Sequence, residues 1–186
     1  FLTFPRLIGG VMVAPALFRL LFKSEWWDAI PFFQLLCMGG CFTVLTAINN
    51  NFIKVSGRSS GILRIEIIKM ALTAVSIALL ARESVLAMVA GLMAVRGVVH
   101  LINIYYTQRY TGYGMWAQLC DTVPYLLLAM VMAAAVWSVG LVVDKPWLLL
   151  PLQIVAGAAV YTLLAYATGS QILKDAIRLL LKKETL

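Results

Sequence analysis

Long apolar runs alternate with short polar connections from one end of this chain to the other. Six runs stand out, at roughly 1–22, 29–53, 61–81, 84–106, 121–143 and 147–168. Each is close to the ~20 residues a helix needs to cross a ~30 Å hydrocarbon core. Backbone N–H and C=O groups in lipid must be satisfied inside the segment, so runs of this kind are helices. The pattern predicts an all-α polytopic membrane bundle of six transmembrane helices over residues 1–168. In residues 169–186, Ile172, Leu173, Ala176, Ile177 and Leu180 recur at helical spacing, while Lys174, Arg178 and Lys182 share the opposite face. That spacing predicts an amphipathic helix lying in the membrane interface.

Local signals punctuate the runs. Pro5, Pro15 and the Gly9–Gly10 pair fall in the first helix, where small residues would permit close helix approach. The turn Lys23–Asp28 carries Trp26 and Trp27, as expected at a membrane border. Pro31 fits the first turn of helix two, where a missing N–H costs little. Helix two ends in Asn49–Asn50–Asn51, a triplet that must face protein or water. Arg82–Glu83 is a tight turn with Ser84 placed to cap helix four. Asp121–Thr122 is expected to cap helix five, with Pro124 in its first turn, and Asp144–Lys145–Pro146 to turn the chain into helix six.

Composition agrees. The 186 residues are 62% hydrophobic and 12% charged, with mean hydropathy +0.93. No soluble domain of this length has the interior volume to bury so much apolar surface. The net charge is +7, but the cations sit at the ends of apolar runs, beside lipid headgroups, and nucleic acid is not expected as a partner. Lys54, Arg58, Arg64, Arg109, Lys174, Arg178, Lys182 and Lys183 fall on one side of the expected topology; Arg19, Lys23, Arg82 and Lys145 fall on the other. The excess places the first side, and the carboxyl terminus, in the cytoplasm. Phe1 stands within an apolar run with no charged leader before it. The chain is therefore expected to be the carboxyl-terminal part of a longer protein.

Candidate chemistry is sparse. Arg96 lies 12 residues into the fourth run, about 18 Å along a helix. His100 and Asn103 follow at i+4 and i+7 and share its face. Two placements fit: a stripe lining a water-filled path to meet an anionic group, or a later helix start that lets Arg96 snorkel to the border. Arg6, beside Pro5, has the same choice between a central cavity and the headgroups. Glu66 and Lys69 are three apart on one helix and can pair. Cys37 and Cys41 lack further ligands for a metal and read as packing residues. No paired carboxylates, nucleophile motif, phosphate loop or metal motif is present. No catalytic residue, metal or cofactor is expected, and the protein is not expected to be an enzyme.

The stretch FLTFPRLIGGVMVAPALFRLLFKSEWWDAIPFFQLLCMGG, with NNNFIKVSGRSSGILRIEIIK after it, resembles polysaccharide flippases of the multidrug/oligosaccharidyl-lipid/polysaccharide exporter superfamily. The likeness is to Wzx-type proteins of the colanic-acid and exopolysaccharide branch. It covers residues 1–75, and hydropathy alone extends it. It departs at Lys23–Ser24, where the family pattern has a Gly. The resemblance implies the carboxyl-terminal lobe of a transporter in the bacterial inner membrane, completed by an amino-terminal half. It also implies alternating access for an undecaprenyl-diphosphate-linked oligosaccharide, alongside polymerase and other assembly proteins. Cavity-lining cations in such flippases give Arg96 and Arg6 a substrate-binding role, with His100 and Asn103 on the Arg96 stripe. Two other classes stay open. A membrane polymerase or transferase would need a large outer loop. A drug or cation exporter of the same superfamily would favour deep carboxylates.

Overall fold

A computed structural model describes residues 2–143 and 145–168; the expected amphipathic tail at 169–186 and Asp144 lie outside the described residues. The described residues form helices and short connections: α1 (Thr3–Leu21), a 3-10 turn (Ser24–Ala29), α2 (Ile30–Val55), α3 (Ser59–Leu80), α4 (Val85–Thr111), α5 (Met115–Val142) and α6 (Pro146–Ala167). Five of these segments are long and apolar enough to cross a membrane. The 22 residues of α3 have the length, but its first half carries Arg64, Glu66 and Lys69. Large apolar side chains are exposed along the helices, among them Leu21, Val55, Met70 and Leu141. Apolar surface on that scale suits lipid rather than water.

The sequence signals hold at most helix ends. Ser84 Oγ accepts the Ala87 N–H at 3.0 Å and caps α4, and Pro31 sits in the first turn of α2. The start of α5 is a correction. The helix begins at Met115, so Asp121–Thr122 lies inside it and caps nothing, and Pro124 is interior. The reason is local. Gly112 takes a left-handed conformation (φ +76°) that ends α4, and the next helix restarts at once, with the Gln118 N–H bonded to Gly114 O. The Asp121 carboxylate accepts the Tyr113 hydroxyl instead.

The helices form two compact units, each described by itself. The first holds α1, α5 from Pro124 onward, and α6; the second runs Ser24–Val123. The first two helices thus divide, α1 going to one unit and α2 to the other.

In the first unit Ala129, Met132, Val136 and Tyr161 form the core, with Phe4, Ile8 and Met12 packed against it. Gly140 lies against Gln153 and Val136 against Gly157, a register that makes α5 and α6 antiparallel. In the second unit Ile53, Ile65 and Val99 form the core, joined by Tyr106 and Tyr110. Gly61 meets Tyr110, and Gly91 meets Leu80. Those two contacts fix α3 and α4 as an antiparallel hairpin, as the short Arg82–Glu83 turn requires. Gly39 meets Met93 and Arg96, and Phe42 meets Gly97, so α2 and α4 advance together and run parallel. Lys69 pairs with Glu66 on α3.

Candidate functional site

The second unit holds the Arg96 stripe. Arg96 is exposed and lies across α2: a Cβ built on Gly39 would sit 2.8 Å from its Nη1 and 3.5 Å from its Cδ. Gly39 is nine residues inside α2, so the guanidinium stays level with the middle of the helices and does not run to a helix end. No carboxylate among the described residues pairs with it.

One turn on, His100 is half-buried. Its ring stands 6.1 Å from that of Phe42, and Nδ1 is buried with no hydrogen-bond partner among the described residues. Asn103 is fully buried. Its amide nitrogen donates to Val99 O at 3.0 Å, while Oδ1 has no partner among the described residues. The three residues named from spacing therefore share one side of α4, as helical periodicity requires.

Sequence reading missed how far the stripe runs. Thr107, at i+4 from Asn103, is also fully buried, and its hydroxyl has no partner among the described residues. Residue 107 lay beyond the expected helix end at 106, so the interval was available but the boundary hid it. The inner face of α2 adds Asn49, only 2% exposed. Its Nδ2 donates to Leu45 O at 3.2 Å and to Gln118 Oε1 at 3.0 Å. Gln118 in turn donates to Tyr113 O. The first Asn of the triplet thus faces protein, Asn50 is half-buried and Asn51 is exposed. Asn49 Oδ1 and Asn50 Oδ1 remain without partners. Among the unmet atoms the amide oxygens of Asn49, Asn50 and Asn103 can only accept, whereas the Thr107 hydroxyl accepts or donates and the His100 nitrogen does either by tautomer.

Arg6 belongs to the first unit. It is exposed and lines a cleft of about 420 Å³ among α1, α5 and α6, close to Pro5, Tyr161 and Thr162. The expected close approach at Gly9 is an ordinary contact: a Cβ there would lie 3.6 Å from Met132 Cε. Gly9 and Gly10 instead leave space in the cleft wall. Gln153, which sequence reading did not single out, lines the same cleft and is buried.

No group of His, Cys, Asp and Glu placed to hold a metal ion occurs among the described residues. Cys37 and Cys41 are half-buried free thiols on one helix. Protein-family models, curated proteins and solved structures yield no match to the chain.

Proposed function

We propose that the chain is part of a polysaccharide flippase, which moves undecaprenyl-diphosphate-linked oligosaccharide units across the bacterial inner membrane by alternating access, with its carboxyl terminus in the cytoplasm. The resemblance over residues 1–75 supplies the class. One observation supports it most: the buried amide oxygens of Asn49 and Asn103 and the buried hydroxyl of Thr107, unmet among the described residues within helices of membrane length.

Unmade hydrogen bonds in a low-dielectric interior cost about 1–3 kcal/mol each. A hydroxyl-rich cargo supplies the donors that these oxygens lack. The guanidinium of Arg96 presents a planar fork of donors suited to phosphate oxygens. A polyprenyl tail needs no protein path, because the bilayer already solvates it. The protein has to provide only a polar route for the head.

The test uses the full-length transporter in a bacterial strain lacking its own flippase. With wild-type protein, polymer export is restored. With Arg96→Ala at normal membrane abundance, export falls at least about tenfold, the scale of one lost charge-assisted contact, and lipid-linked intermediate accumulates at the inner leaflet. Arg96→Lys retains part of the activity, because the charge remains while the fork is lost. Normal export by Arg96→Ala would remove Arg96 from the mechanism. Failure of the wild type to restore any polymer in hosts of several sugar types would remove the flippase reading.

A further inference from the structure

The cleft of the first unit has two anchors of different chemistry and apolar walls joining them. At its mouth stands Arg6, exposed and the one charged residue among the described residues that line it. At depth stands Gln153, 5% exposed. Its Nε2 donates to the backbone carbonyl of Val136 on α5 at 3.3 Å. That bond fixes the amide's orientation, since a flipped amide would set two oxygens face to face. The free end is therefore Oε1, and it is buried with no partner among the described residues.

Gln153 is among the residues that line the cleft, and its enclosed oxygen lacks the donor that burial calls for. The walls offer none of the carboxylates a cationic ligand would need. Gly9 and Gly10 leave a bare stretch in the α1 wall between Pro5 and Val13. A Cβ at Gly157 would stand 3.1 Å from Val136 Cγ2, so the opposite wall is closely packed, the side chain of Val136 lying against the bare backbone of Gly157. A volume of about 420 Å³ lies within the ~300–1,000 Å³ of small-molecule sites.

We propose that this cleft binds an amphipathic organic anion that carries a hydroxyl. The acid group meets Arg6, the apolar body lies against Met132 and the glycine wall, and the hydroxyl donates to Gln153 Oε1. Such binding stands on the first unit alone and holds whether or not the second unit handles a sugar cargo.

The experiment measures binding by calorimetry to the protein in phosphatidylcholine nanodiscs, with protein-free nanodiscs subtracted. The probes are ω-hydroxy fatty acids of eight, ten and twelve carbons, the plain acids of equal length, and the hydroxy-acid methyl esters. At the length that spans both anchors, the hydroxy acid binds about five- to tenfold more tightly than the plain acid, as one hydrogen bond to a buried acceptor predicts. The ester binds about tenfold more weakly than the hydroxy acid, for loss of the charge-assisted contact. In Gln153→Leu the hydroxy acid and the plain acid bind alike; in Arg6→Gln the acid and the ester bind alike. The ligand series on unmutated protein decides the matter even where a variant fails to fold. Equal binding of hydroxy and plain acids at every length would overturn the proposal, as would affinity that rises only with chain length.

Discussion

The two units solve the same problem, apolar helices with a few polar groups inside, in different ways. The first concentrates its polarity at a single buried amide, Gln153, which bridges α5 and α6 and opens on a cleft. The second distributes polarity along two parallel helices: Asn49 on α2, then His100, Asn103 and Thr107 on α4. Their small residues differ as well. Gly9 in the first unit meets its neighbour at an ordinary 3.6 Å, whereas a Cβ on Gly61 in the second would stand 2.7 Å from the Tyr110 ring. The lesson is that close helix packing and an open cleft use the same residue type for opposite ends. Glycine against a rigid ring allows contact; glycine in a wall leaves space.

That contrast breaks most readily at the glycines. Gly61→Ala drives a methyl group into Tyr110, whose ring carries Arg58 above it at 5.1 Å from the centroid and packs beside Tyr106. The expected loss is about 1–3 kcal/mol, the scale of overpacking, read from reversible unfolding in bicelles by added denaturing detergent. Gly9→Ala is the matched control. It costs nothing or gains up to about 1 kcal/mol from helix propensity. Equal losses at both positions would erase the distinction between the units.

A smaller effect separates the buried amides. Asn103 bonds only to a carbonyl of its own helix, so Asn103→Leu removes an unmet oxygen and strands nothing. Stability should rise by about 1 kcal/mol, while transport by the full-length protein falls. Gln153→Leu gives up an interhelical bond worth a similar ~1 kcal/mol and should come out near neutral. A loss at Asn103 with no change in transport would make that residue a packing group.

The smallest effect is a titration outside the spans. Tyr113, in the connection between α4 and α5, has its phenol pushed up to about 12, first by burial and then by its hydrogen bond to Asp121 and the charge of that carboxylate. The folded-state value is raised, so the associated stability is intact below about pH 10 and is lost as pH climbs from 10 towards 12. Tyrosinate absorbance should show this residue titrating above the ordinary phenol range, identified by difference against Tyr113→Phe. Asp121→Asn should bring it part of the way down. An unchanged titration in Asp121→Asn would mean that the carboxylate has no part in the shift.

Much of the helical layout was legible because hydrophobic period and capping chemistry are local. Ser84 capped the helix it precedes, Glu66 and Lys69 paired at i,i+3, and Arg96, His100 and Asn103 shared a face. The α4–α5 connection was misread for an equally local reason. Tyr105–Tyr110 is polar and aromatic enough to resemble the start of a long loop, and Asp121–Thr122 resembles a cap, yet one left-handed glycine at 112 suffices to turn the chain. A helix end in an interfacial sequence is set by backbone geometry as much as by hydropathy.

By itself, the sequence determined that the chain is a set of membrane-length helices and which residues share a helical face. Apolar run length and the 3.6-residue period decide both without reference to the rest of the chain. Tertiary structure alone decided what those faces meet. It laid Arg96 across Gly39, bonded Asn49 to Gln118, and turned Gln153 so that its nitrogen is held and its oxygen is free. It also drew α1 and α2, neighbours in sequence, into different units. The partners in these contacts lie 17 to 69 residues apart for the two amide bonds. Which distant carbonyl or amide a side chain reaches depends on how whole helices pack, and no local pattern encodes that.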